Sequence, residues 1–162
     1  MKYSKYEKYY KYIIYFIFAC LMFLKHVPMD YISDDAVVSA FVTEQSLYEN
    51  FLHRWYYNGR IFTDVLANIF YRQPMILWKV FDTCIYVLSA VLMKKIFTKD
   101  RWQDALISCG LILLYPTEYL KSAGYIATTT NYVYPVVCLL VVMFYIKSNR
   151  IFRGQLQAPC VL

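Results

Sequence analysis

Two adjacent carboxylates, Asp34 and Asp35, stand in the stretch Met29, Asp30, Tyr31, Ile32, Ser33, Asp34, Asp35, Ala36. When such a pair is partly desolvated, ionising one carboxyl disfavours ionising the other. One member is then tuned toward general-base work on a nucleophile, whereas a divalent cation (Mg or Mn) would hold both ionised. The same pair also reads as a helix start, because Asp is favoured at the N-cap and in the first turn. Spacing alone leaves both readings open. A second polar group, Glu118, Lys121, Ser122, Gly124, Thr128, Thr129, Thr130 and Asn131, interrupts a region that is otherwise apolar. It reads either as a binding surface for a polar head group or as an ordinary loop whose threonines cap the next helix.

The elements that must position these residues are set by composition. Of 162 residues, 60% are hydrophobic, 20% aromatic and 17% charged, which excludes a disordered chain. The apolar blocks exceed what a soluble core strand needs, and the length has room for about four membrane crossings of ~20 residues. The expected fold is all-α: a polytopic membrane bundle with spans at 12–29, 75–93, 102–115 and 129–146. The basic segment 1–11 precedes the first span. Lys25, His26 and Pro28 close that span where a signal-peptidase site would need small residues, so it reads as an uncleaved anchor. Pro116 ends the third span early, and Pro135 falls in the first turns of the fourth. The five cysteines occur singly with no CxxC, which argues against zinc, and Cys160 is third from the end, the wrong place for prenylation.

Basic residues set the orientation. With the amino terminus in the cytoplasm, the inner segments, 94–101 and 147–162 among them, hold Lys2, Lys5, Lys8, Lys11, Lys94, Lys95, Lys99, Arg101, Lys147, Arg150 and Arg153, eleven of the seventeen Lys and Arg. Both termini are then cytoplasmic, and segments 30–74 and 116–128 face outward. The net charge of +6 is dispersed among apolar runs, which argues against nucleic acid. In segment 30–74, Phe41, Tyr48, Phe51, Leu52 and Trp55 recur at helical spacing, as in a helix lying on the membrane surface. After Asn58, Gly59 and Arg60 a second helix is expected, with Arg60, Asp64 and Asn68 on one polar stripe. Lys79 and Asp82, three apart in the second span, read as an internal pair or as a ligand contact. His26 and His53 receive no ligand role.

A short basic terminus, one span, an outer Asp-Asp pair, surface helices and further spans together resemble the start of the GT-C superfamily of membrane glycosyltransferases. The stretch Ser122 to Pro135 is similar to a segment of uncharacterised bacterial GT-C-like proteins. The resemblance implies an inverting transfer of a sugar from a polyprenyl-phosphate donor outside the cytoplasm of a bacterial cell. It assigns the family's acidic motif to Asp34 and Asp35, as catalytic base or metal ligand. The outer cations Arg54, Arg60 and Lys121, with Asn131, are the candidate substrate-binding groups. Such enzymes have more spans than this chain, so a further membrane subunit supplying the missing spans is an expected partner beside the bilayer and the lipid-linked sugar. The alternatives are a small four-span carrier or flippase component of the GtrA-like type, and a membrane interaction protein without a small-molecule site.

Overall fold

The computed structural model describes residues 5–44, 46–57, 60–98, 101–116, 120–121 and 123–156, a few of them, His53 and Arg54 included, by backbone only. The regular elements among them are helical: α1 (Lys5–His26), α2 (Asp34–Glu44), α3 (Leu47–Tyr57), α4 (Ile61–Tyr71), α5 (Met75–Phe97), α6 (Trp102–Leu113), α7 (Tyr125–Thr128), a π turn (Thr129–Val133) and α8 (Tyr134–Leu156). The four expected apolar segments thus correspond to α1, α5, α6 and the continuous run from α7 to α8.

Two of these, Met75–Phe97 and the run Tyr125–Asn149, are long and apolar enough to cross a membrane, and only 39% and 28% of their apolar windows are buried in the protein. A core helix of a water-soluble domain would hide most of such a window. The third expected span is shorter than a crossing requires: α6 has 12 residues, so at ~1.5 Å per residue it extends ~18 Å against a hydrocarbon thickness of ~30 Å.

Helix α5 is central, packing against α1, α6 and α8. Lysines fix the helix ends by meeting the carbonyls that each C-terminus leaves unpaired. Lys25 Nζ donates to Leu113 O at 2.9 Å, joining the end of α1 to the end of α6. Lys147 Nζ donates to Lys95 O and Ile96 O at 2.9 and 2.7 Å, bringing α8 to the last turn of α5. Tyr10 and Trp102 stack at 6.2 Å, so α1 and α6 also begin together. Lys11, Lys94, Lys95, Arg101 and Lys147 are in this way collected at one end of the bundle. Helices α2, α3, α4 and α7 form a cap over the other end, around a core that includes Val42, Phe70, Trp78, Leu120 and Ile126.

The single surface helix expected over Phe41 to Trp55 is divided. Phe41 belongs to α2, and α3 starts afresh after Ser46. Ser46 Oγ accepts from Glu49 N at 3.2 Å while Glu49 Oε2 accepts from Ser46 N at 2.8 Å. That reciprocal box favours a new helix start over continuation. Tyr48, Leu52 and Trp55 are exposed on α3, as a surface helix requires.

Candidate functional site

The Asp-Asp pair opens α2, where its charges suit the helix dipole, but its two members have different surroundings. Asp34 is exposed. Asp35 is fully buried, and both its oxygens are occupied. Oδ1 accepts from the Tyr71 hydroxyl at 2.6 Å and from Ala127 N at 3.0 Å, and Oδ2 accepts from Ile126 N at 2.9 Å. The carboxylate thereby caps the start of α7 from another helix, satisfying N–H groups that a helix start leaves without partners. Burial pushes the Asp35 carboxyl above its usual range, and the bonds from Tyr71, Ala127 and Ile126 partly offset that push. Gly124, immediately before α7, has φ +92, and a Cβ there would collide with the Asp35 carboxyl group. Only glycine gives both that backbone and that approach.

Beside this lock lies a polar cleft of about 190 Å³ between α2, α4 and α7, lined by Asp34, Arg60, Asp64, Asn68, Tyr71 and Asn131 among others. Helix α4 contributes its expected stripe of Arg60, Asp64 and Asn68 at four-residue intervals. Asn131 enters from the π turn: its Oδ1 accepts from Thr63 Oγ1 at 2.8 Å and its Nδ2 donates to Ala127 O at 2.8 Å. The turn exists because Pro135 has no N–H to give and its ring crowds the carbonyl of Asn131. Tyr134 N reaches back instead to Thr129 O. Thr129 and Thr130 are both fully buried, and their hydroxyls donate to carbonyls one turn back, among them Tyr125 O at 2.8 Å and Ile126 O at 2.7 Å. The threonines therefore serve the local helix, and Asn131 serves the cleft.

Of the residues expected at a site, Asp34, Arg60 and Asn131 come together in the cleft. Asp35 sits behind it, linked through Tyr71, which both lines the cleft and donates to the buried carboxylate. Lys121 does not line the cleft; its carbonyl accepts from Ser33 Oγ at 3.1 Å, tying the second outer segment to the start of α2. The Arg54 side chain, Glu118 and Ser122 lie outside the described residues. The expected cation site on Asp34 and Asp35 does not fit, because the Asp35 oxygens are committed to α7 and Tyr71. Among the described residues no group of three or more His, Cys, Asp or Glu could hold a metal ion.

The pair expected within the second span is also rearranged. Lys79 Nζ donates to Val27 O at 2.9 Å, and Asp82 turns to His26, its Oδ2 lying 2.7 Å from Nε2. His26 was legible only jointly with Asp82: one ring base closing the first apolar helix, and one acid two turns into the next helix of opposite direction. Compared with known proteins, the chain matches no family model, no curated relative and no solved structure.

Proposed function

We propose that this chain is a multi-pass protein of the cell membrane that binds the polar head of a lipid-linked sugar at the extracytoplasmic face. In this reading α1, α5, α6 and the α7 to α8 run are four spans with both termini in the cytoplasm, the short α6 crossing with its flanking residues while packed against α1 and α5. The clustering of basic residues at the end of the bundle remote from the cap supports that orientation. The observation that carries the reading is the cleft, which sets a guanidinium, Arg60, among Asp34, Asp64, Asn68 and Asn131 at the capped end of the two long apolar helices. At about 190 Å³ it falls below the ~300 to 1,000 Å³ of ordinary small-molecule sites, which suits one phosphate or one sugar ring better than an extended ligand. Arg60 would bind the phosphate, and Asp34, the exposed member of the acidic pair, would accept the proton of an acceptor hydroxyl. This is the chemistry of a GT-C-like transfer, with further spans supplied by a partner subunit.

Native mass spectrometry of the detergent-solubilised chain with a polyprenyl-phosphate sugar tests the reading. Arg60→Gln should weaken binding by about tenfold or more, as loss of one charge-assisted hydrogen bond does. Equal binding of the sugar-free lipid, or no effect of Arg60→Gln, would count against it. The carrier reading, in which a small four-span protein moves such a lipid, is favoured by one observation, the buried His26–Asp82 pair inside the bundle.

A further inference from the structure

Away from the cleft, α1 and α5 bury a base and an acid against one another. His26 Nε2 lies 2.7 Å from Asp82 Oδ2, with the side chains 1% and 0% exposed. The other ring nitrogen, Nδ1, lies 2.7 Å from Met22 O and 3.3 Å from Thr83 Oγ1. A carbonyl only accepts, so Nδ1 carries a proton. The Thr83 hydroxyl gives its own proton to Lys79 O at 2.8 Å, so toward the ring it too accepts. The neighbours thus fix one proton on the imidazole and leave one to be shared between Nε2 and Oδ2. With that shared proton the pair has no net charge, whether written as imidazolium and carboxylate or as imidazole and carboxylic acid.

A pair serving only to staple α1 to α5 would have its remaining polar atoms satisfied, since each buried atom left unpaired costs ~1 to 3 kcal/mol. These are only loosely satisfied. No well-formed hydrogen bond reaches Asp82 Oδ1, Trp78 Nε1, the Tyr86 hydroxyl or the Tyr134 hydroxyl, all buried. Tyr134 makes looser approaches to Asp82, Thr129 and Trp78, and Tyr86 stands near Asp82. The unfilled bonding capacity converges on the carboxyl group. A proton on Oδ1 would make a loosely met acceptor into a donor toward a tyrosine oxygen.

We propose that His26 and Asp82 form an exchangeable proton-binding site inside the bundle, taking a second proton from water at the capped end. A hydronium ion gives its proton to Asp82 Oδ1 and leaves as water, the proton shared with Oδ2 settles on His26 Nε2, and the pair goes from neutral to a net charge of +1. The path is short. His26 is the last residue of α1, the next residue, Val27, is 53% exposed, and the Lys79 ammonium sits on the Val27 carbonyl. Asp82 lies seven residues beyond the first residue of α5, Met75, or about 10 Å of helix.

The surrounding elements contribute few charges. Lys25 of α1 and Lys79 of α5, each bound to a carbonyl, oppose the added positive charge. Helix α8 presents Tyr134, α5 itself Tyr86, the α6 side Cys109 and Tyr115, and α4 the uncharged Phe70, which meets α5 at Phe81. The rings of Trp78 and Tyr86 pack 5.5 and 5.9 Å from the imidazole and keep bulk water out. An ionisable pair held at this depth by otherwise apolar helices makes the packing of α1 on α5 depend on protonation.

The full-length chain in lipid nanodiscs allows a direct test. His53→Gln leaves His26 as the sole histidine of the two in the sequence, so 15N-histidine NMR reports on it alone. On going from about pH 9 to about pH 5, where histidine sites exchange protons, the Nδ1 signal should stay protonated. The uptake should register either as a proton gained at Nε2, where the pair starts as imidazole and carboxylic acid, or as growth of a protonated-carboxyl infrared band missing from Asp82→Asn, where it starts as imidazolium and carboxylate. The NMR arm needs no change to the pair itself, so it stands even if Asp82→Asn folds poorly. Signals invariant across the range would show a frozen ion pair and overturn the proposal, as would a carboxyl band that persists in Asp82→Asn.

Discussion

Asp35 illustrates how one carboxylate can be read for chemistry and yet be used for architecture. Its three acceptor bonds join α2, α4 and α7 at one buried point. Asp35→Asn replaces one accepting oxygen with a donor that must face a backbone N–H or the Tyr71 hydroxyl. A loss of about 1 to 3 kcal/mol is expected, read as lower thermal stability and faster amide exchange at Ile126 and Ala127. Gly124→Ala should cost a comparable amount, because it adds positive-φ strain to a collision with the same carboxyl. Thermal and exchange measurements unchanged in both variants would show that the lock is not formed. The pH dependence has a definite sign. A carboxyl raised by burial binds its proton more tightly folded than unfolded, so its contribution to stability is complete below the ordinary carboxylate range and is lost as pH rises through the folded value. Protection of Ile126 and Ala127, corrected for intrinsic exchange, should therefore fall as pH rises through that window. That an Asp-Asp pair opens a helix was legible from residue type. Which carboxylate would be buried was not, because this depends on Gly124 and Ala127, about ninety residues away.

At the scale of elements, local signals carry most of the fold. Pro74 and Lys94 with Lys95 bracket α5, and Arg60, Asp64 and Asn68 mark the wet side of α4 where the cleft forms. The break between α2 and α3 was equally local. Ser46 and Glu49 stand at capping-box spacing, but apolar periodicity continuous from Phe41 to Trp55 masks it, since period alone does not reveal a change of axis. Ser46→Ala removes the hydroxyl that accepts from Glu49 N and should destabilise α3 by about 0.5 to 2 kcal/mol, measured as faster exchange of the amides from Leu47 to Asn50. Exchange unaffected there would mean that packing on α4 holds the helix without its cap. The π turn was less legible. Pro135 signals a disturbed ladder, but not whether the helix kinks, breaks or widens; widening brings Asn131 to Thr63 and Tyr134 to Asp82.

At the scale of the whole molecule, one arrangement accounts for both the basic and the polar residues. Helices α1, α5, α6 and α8 alternate in direction, so the lysines near the start of α1, the end of α5 and the end of α8 share one end, while α2 to α4 cover the other. Such separation is expected when basic segments are retained in the cytoplasm during insertion. The exposed apolar faces of α5 and α8, Ile76, Val80 and Leu88 on the first and Val136, Leu139 and Val142 on the second, would then contact hydrocarbon. Ser46 and Ser148, both exposed, mark the two ends. In a chain whose five native cysteines are replaced, Ser46→Cys should react with an impermeant maleimide in intact cells and Ser148→Cys only after permeabilisation. The reverse pattern would put the polar cleft in the cytoplasm and remove the basis for an extracytoplasmic substrate. Reaction of both in intact cells would show instead that an even number of crossings separates them. The short α6 would then be the element that does not cross, because at 12 residues it has the least length with which to do so.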